Sequence, residues 1–147
     1  MIELAQLQDL VGRWWFNYDE GNFKVLEDLV TDDVHFSCRT DTGATDYEEF
    51  VRADYTGRDE VMAWQTDHRI HSPYPLRHNG TNVHLVEQRG EEATFASYIF
   101  VSQILGGVSP LSTGIVNGKV RLDGDALRIA ELEVVLDTTE SKPFNER

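Results

Sequence analysis

The chain has 147 residues, 40% of them hydrophobic, with 26 acidic against 13 basic side chains and a formal net charge of −13. That is enough apolar material for a domain with a core, while the charge repels phosphate backbones and anionic lipid and so excludes nucleic acid and membrane surfaces as expected partners. No apolar run approaches a membrane span, residues 1–6 lack the basic and apolar regions of a signal peptide, and one cysteine, Cys38, allows no intrachain disulfide, so a cytoplasmic location is expected.

Leu4, Leu7, Val11, Trp14, Trp15 and Tyr18 recur at helical spacing and predict a long first helix that stops near Gly21. A short second helix carries Phe23, Leu26, Leu29 and Val30 on one side and breaks at Thr31-Asp32-Asp33. Residues 34–38 alternate as a strand, with Val34, Phe36 and Cys38 on one face. Thr45-Asp46-Tyr47-Glu48 has the capping-box pattern and opens a short helix that reaches Val51. A further helix spans 58–67, with Val61, Met62 and Trp64 apolar, and Pro73 and Pro75 close that region.

Beyond Leu76 the pattern is β. Strands are predicted over 81–88, 94–103, 114–122 and 126–136, with turns at Gly90-Glu91-Glu92 and Asp123-Gly124-Asp125. Apolar parity slips between Leu127/Ile129 and Leu132/Val134/Leu136, which predicts a bulge near Ala130-Glu131 and a bend in the sheet. The tail 138–147 is polar and expected to be loose. No linker or repeat interrupts the chain, so one domain over 1–147 is expected.

Helices first and hairpin-linked strands second define an α+β protein, a curved antiparallel sheet packed on three to four N-terminal helices. Such a cone has an apolar interior open at one end, a usual place for a small-molecule site. Trp14, Trp15 and Trp64 fill that interior, and Trp15, Phe36, Cys38 and Tyr98 are the expected walls around a small hydrophobic ligand. The strand over 94–103 is apolar on both parities, Phe95/Ile99/Val101 and Tyr98/Phe100. One set fills the cone; the other calls for cover, so a homodimer or higher homo-oligomer formed by sheet faces is expected.

Three residues make a proton-transfer set: Tyr18, Asp19 and His78. Tyr18 and Asp19 fall in the last turn of the first helix, where a carboxylate meets the negative end of the dipole and benefits from a donor partner. His78 stands at a strand start just after Pro73-Tyr74-Pro75. An imidazole is the commonest general acid and base, and a carboxylate fixes its tautomer. The residues alone leave another reading open, with Asp19 a solvated helix-end group, Tyr18 core and His78 structural. Asp67-His68-x-x-His71 has helical spacing, but no recognisable metal motif accompanies it, and neither metal nor cofactor is expected. No base adjacent in sequence activates Cys38, and no phosphate loop or nucleophile elbow is present.

The chain resembles the SnoaL-like branch of the NTF2-like superfamily. The resemblance rests on Tyr18-Asp19-x-Gly21-Asn22-Phe23, Leu29-Val30-Thr31-Asp32-Asp33-Val34, Arg77-His78-x-x-Thr81-Asn82-Val83, Ala96-Ser97-Tyr98, Gly114 and Asp123-Gly124-x-x-Leu127-Arg128-Ile129. It implies the cone-shaped barrel typical of that superfamily. At Tyr18-Asp19 and His78 the chain is similar to scytalone dehydratases, which implies a cofactor-free lyase or isomerase acting on a small cyclic or polyketide-like molecule. In that likeness Asp19 orients His78, His78 takes a proton next to a carbonyl, and Tyr18 polarises the carbonyl through a water. The dehydratases' second tyrosine falls at or near Cys38, and their second histidine falls in 101–105, where this chain has none. Residues 127–137 are also similar to the last strand of the small subunits of ring-hydroxylating dioxygenases, which implies the alternative of a non-catalytic ligand-binding module or structural subunit.

Overall fold

The computed structural model describes residues 1–147. The elements in chain order are α1 (Leu4–Asp19), α2 (Phe23–Asp28), β1 (Val30–Thr40), α3 (Glu48–Val51), β2 (Ala53–Thr56), α4 (Arg58–Ile70), β3 (Leu76–Arg89), β4 (Glu92–Gln103), β5 (Leu111–Asp123) and β6 (Ala126–Leu136), followed by a single 3-10 turn (Phe144–Glu146). The strands form one six-stranded sheet in the order β2-β1-β6-β5-β4-β3. No helix is long and apolar enough to cross a membrane.

The predicted α+β class and curved sheet hold. The sheet is antiparallel except at one seam, where β1 runs parallel to β6 and pairs Phe36 with Leu132 and Cys38 with Val134. The parallel seam departs from the expected antiparallel sheet, and among the differences in the elements three stand out. The short strand β2 was not predicted, β1 begins at Val30 rather than 34, and β3 begins at Leu76 rather than 81. The last of these matters most, because it draws His78 into a ladder opposite Val101.

α1 forms because its apolar residues return every three to four positions, and it buries Leu7, Leu10, Val11, Trp14, Trp15, Tyr18 and Asp19 along one face. Its entry is a reciprocal cap between Glu3 and Gln6. The helix lies on β3 at Gly80, where a Cβ would stand 2.9 Å from Val11 Cγ1 and 3.2 Å from Trp15. A bare glycine there lets the helix seat Trp15 close to the strand that carries His78.

The predicted bulge is present. Lys119 pairs with Glu131 and Val120 with Ile129, which leaves Ala130 as the extra residue on β6. The core fills the concave side, with Phe95, Ile99, Val116, Val120, Ile129 and Leu132 of the sheet against the α1 stripe. Burial of a side chain such as Phe95 contributes about 2–3 kcal/mol. On the convex side Tyr98 and Ile115 sit opposite each other across β4 and β5, and both are exposed.

Candidate active site

α1 brings Trp15, Tyr18 and Asp19 to one side of its last turn, at relative positions i, i+3 and i+4. The helix ends there, and its end is capped by a cation: Arg69 of α4 donates from Nε to the Asp19 carbonyl oxygen at 2.9 Å and from Nη1 to the Pro73 carbonyl at 3.1 Å. This cap fixes the backbone from which the Asp19 carboxylate projects toward the start of β3.

Asp19 and His78 meet there. The His78 backbone N–H donates to Asp19 Oδ2 at 2.7 Å, and His78 Nδ1 lies 2.5 Å from Asp19 Oδ1. One carboxylate thus holds both the backbone and the ring of one residue. Asp19 is 4% exposed, so this is a desolvated pair rather than a surface ion pair. Trp15 stacks on the imidazole with centroids 4.9 Å apart and planes 6° from parallel. Tyr18 stands edge-on to the same ring at 5.2 Å. With Nδ1 directed at the carboxylate, Nε2 is left without a hydrogen-bond partner in the protein.

A cavity of about 320 Å³ opens beside this pair. Trp15, Phe36, Cys38, Trp64 and Ile99 give it an apolar wall, and Tyr18 and His78 reach it from the dyad side. Tyr47 and Phe50, both partly exposed, also line it. They are held by Glu48, whose carboxylate accepts from the Thr40 backbone N–H at 3.2 Å and from the Thr40 and Thr45 hydroxyls. Cys38 is a wall residue: burial pushes its thiol up to about 12, far from a reactive thiolate.

Tyr98 requires a correction. It was expected to line the cavity, but it lies on the convex face and is 56% exposed. Strand alternation puts Phe95, Ser97 and Ile99 inward, so the residue between Ser97 and Ile99 must point outward.

Six polar residues on the cavity wall were missed as site residues, Gln65, His68, Ser72, Gln103, Ser112 and Asp137, and the first two matter most. His68 Nδ1 lies 2.5 Å from the Tyr18 hydroxyl, and its ring is packed between Trp64 and Phe50, each with centroids 4.4 Å away. Burial first, then the nearby His78 and Arg69 charges, lower its pKa from 6.5 to about 4, so the ring is neutral at neutral pH. Burial likewise raises the Tyr18 pKa and keeps its hydroxyl protonated. A sequence signal existed. Val61, Gln65 and His68 stand at i, i+4 and i+7, which places two polar residues on the apolar stripe of a helix. His71, weighed with His68 as a metal pair, is exposed and turns back to the Asp67 carbonyl at 2.8 Å.

The His68 shift carries a pH prediction. Its folded pKa lies below its unfolded value, so the unfolded chain binds the proton first. Stability from this ring is therefore complete above the unfolded value of 6.5 and is lost as pH falls toward about 4. Discounted for its partial exposure, the loss is about 2 kcal/mol. Urea unfolding at about pH 7 and about pH 4.5 should show it, and His68→Gln should flatten the difference. Asp41, held low chiefly by a hydrogen bond from the Thr138 hydroxyl, acts only below this window, and Glu48, held low chiefly by the Thr40 hydroxyl, adds a smaller loss at its lower edge.

A curved sheet wrapped around helices, with an apolar cavity at the junction, is the NTF2-like, cystatin-like architecture. The chain belongs to the SnoaL-like domain family, whose model matches residues 2–133. No curated protein matches it in sequence. Among solved structures it is similar to an NTF2-like protein with a cystatin-like fold from Novosphingobium aromaticivorans, at 17% identity and TM-score 0.74, over 93% of this chain and 83% of that one. It is similar to a putative scytalone dehydratase from the same organism, at 13% identity and TM-score 0.72, over 95% of this chain and 87% of the other. It is also similar to the beta subunit of benzoate 1,2-dioxygenase from Burkholderia mallei, at 20% identity and TM-score 0.71, over 92% and 91% of the two chains. At such identities the likeness shows the fold.

Proposed function

We propose that this protein is a lyase or isomerase that moves a proton next to the carbonyl of a small cyclic or polyketide-like hydrophobic molecule, using the acid–base chemistry of its own side chains. The observation that carries the reading is the buried Asp19–His78 pair with Nε2 unpartnered beside an apolar cavity. His78 Nε2 takes the proton from the carbon next to the carbonyl, and the electron pair moves onto the carbonyl oxygen. Asp19 stabilises the imidazolium so formed. Tyr18 donates to the developing enolate oxygen, directly or through a water, once His68 Nδ1–H turns to donate to the Tyr18 oxygen. Collapse of the enolate then expels a β-hydroxyl that takes the proton from His78 as water leaves, or the proton returns at another carbon. The first outcome is dehydration and the second isomerisation.

The test is a panel of cyclic β-hydroxyketones, read by the ultraviolet absorbance of the conjugated enone. Enone formation that saturates with substrate is expected. A panel that is bound but left unchanged would favour the second reading, a non-catalytic binding module or structural subunit, to which the likeness to a dioxygenase beta subunit lends support.

The exposed Tyr98 and Ile115 support a homodimer joined through the convex sheet face. Light scattering at micromolar concentration should give twice the chain mass, and Tyr98→Glu should give the monomer. A monomeric wild type would count against this interface.

A further inference from the structure

Gln65 occupies the middle of α4, is 2% exposed and forms part of the cavity wall. Its amide makes no hydrogen bond within the protein, and Nε2 is buried. One turn further on, His68 Nε2 is buried and unpartnered as well. The same stripe carries Val61, which is fully buried, so a glutamine stands where an aliphatic side chain would pack. An unpartnered buried amide costs about 1–3 kcal/mol, and native proteins keep only a few such groups. Nothing in the fold repays that cost, whereas a molecule in the cavity would.

We propose that Gln65 is a specificity-determining residue whose amide hydrogen-bonds a carbonyl or hydroxyl on a neutral cyclic ligand lying in the cavity. The proposal rests on the reading of that cavity as a ligand site. An amide offers both a donor and an acceptor, so it serves either oxygen function. An anionic ligand is disfavoured: Arg69 is committed to the Asp19 and Pro73 carbonyls, Asp19 is close by, and the protein carries a net charge of −13. The neutral His68 ring adds no positive charge. About 320 Å³ of largely apolar space suits a flat bicyclic molecule.

2-Naphthol and naphthalene differ by one hydroxyl and test this by equilibrium dialysis. Wild type is expected to bind 2-naphthol about tenfold more tightly, the worth of one net hydrogen bond. Gln65→Leu is expected to lose that preference, to bind naphthalene at least as well, and to melt at the same or a higher temperature. Gln65→Leu that keeps the preference overturns the proposal, including the case in which His78→Ala loses it instead. Gln65→Leu and Gln65→Met that both melt markedly lower also overturn it, since the amide is then structural. If neither probe binds wild type, this proposal and the ligand-site reading fall together.

Discussion

Asp19→Asn is expected to leave the fold intact and to cut enone formation by about three to four orders of magnitude, as loss of a carboxylate partner does in a catalytic triad. The cause is a tautomer. Asp19 accepts two N–H groups of His78, from the backbone at 2.7 Å and from ring Nδ1 at 2.5 Å. An asparagine has one acceptor oxygen, which stays on the backbone N–H. Its amide NH₂ then faces Nδ1, which must become an acceptor, and the ring proton moves to Nε2. The nitrogen at the cavity is thereby turned from base to donor. Steady-state rates compared with thermal melting check this: a large fall in rate with little change in melting is expected. An equal fall in both would assign Asp19 a structural role.

The second large effect is on stability, at Gly118. It lies opposite Phe95 in the β4–β5 ladder, and the Phe95 ring folds over it. A Cβ at Gly118 would overlap that ring and stand 2.9 Å from the Glu131 carbonyl oxygen. Phe95 is 1% exposed and cannot swing into solvent. Gly118→Ala is therefore expected to cost about 2 kcal/mol by overpacking, read as a lower urea midpoint at unchanged slope. Phe95→Leu added to it should give back part of the loss, because the two sites share one contact. An unshifted midpoint would mean that the sheet adjusts freely at this point.

How much was legible in the sequence depended on how local the signal was. α1 was readable because Leu7, Val11, Trp14 and Tyr18 repeat a single face. The bulge at Ala130 was readable because a parity slip has no other simple cause. β2 was not, since Ala53-Asp54-Tyr55-Thr56 is too short to show a period and exists through its pairing with β1. The parallel β1–β6 seam joins segments far apart in the chain, and no local pattern encodes that choice.

The site divides in the same way. Asp19 and His78 stood out as residue types and through the dehydratase resemblance, but their meeting is a product of α1 ending beside the first residues of β3. The prolines before that strand put His78 at a strand start, but the regular strand was read only from Thr81 because His78-Asn79-Gly80 lacks alternation. Tyr98 was misplaced because polarity at 97 and 98 is inverted, with Ser97 buried and the tyrosine outside. Gln65 escaped notice, and His68 was weighed only as half of a metal pair, because a polar residue on an apolar stripe reads as a weak helix face rather than as a wall.

Deuterium uptake from solvent at the carbon next to the carbonyl of 2-tetralone, followed by proton NMR, most directly tests proton transfer by His78. It needs no knowledge of the natural substrate. Wild type should accelerate uptake at least about a hundredfold over buffer, the usual worth of a positioned base, and His78→Ala should return it to the buffer rate. Uptake that His78→Ala leaves at the wild-type rate would contradict proton transfer by this histidine.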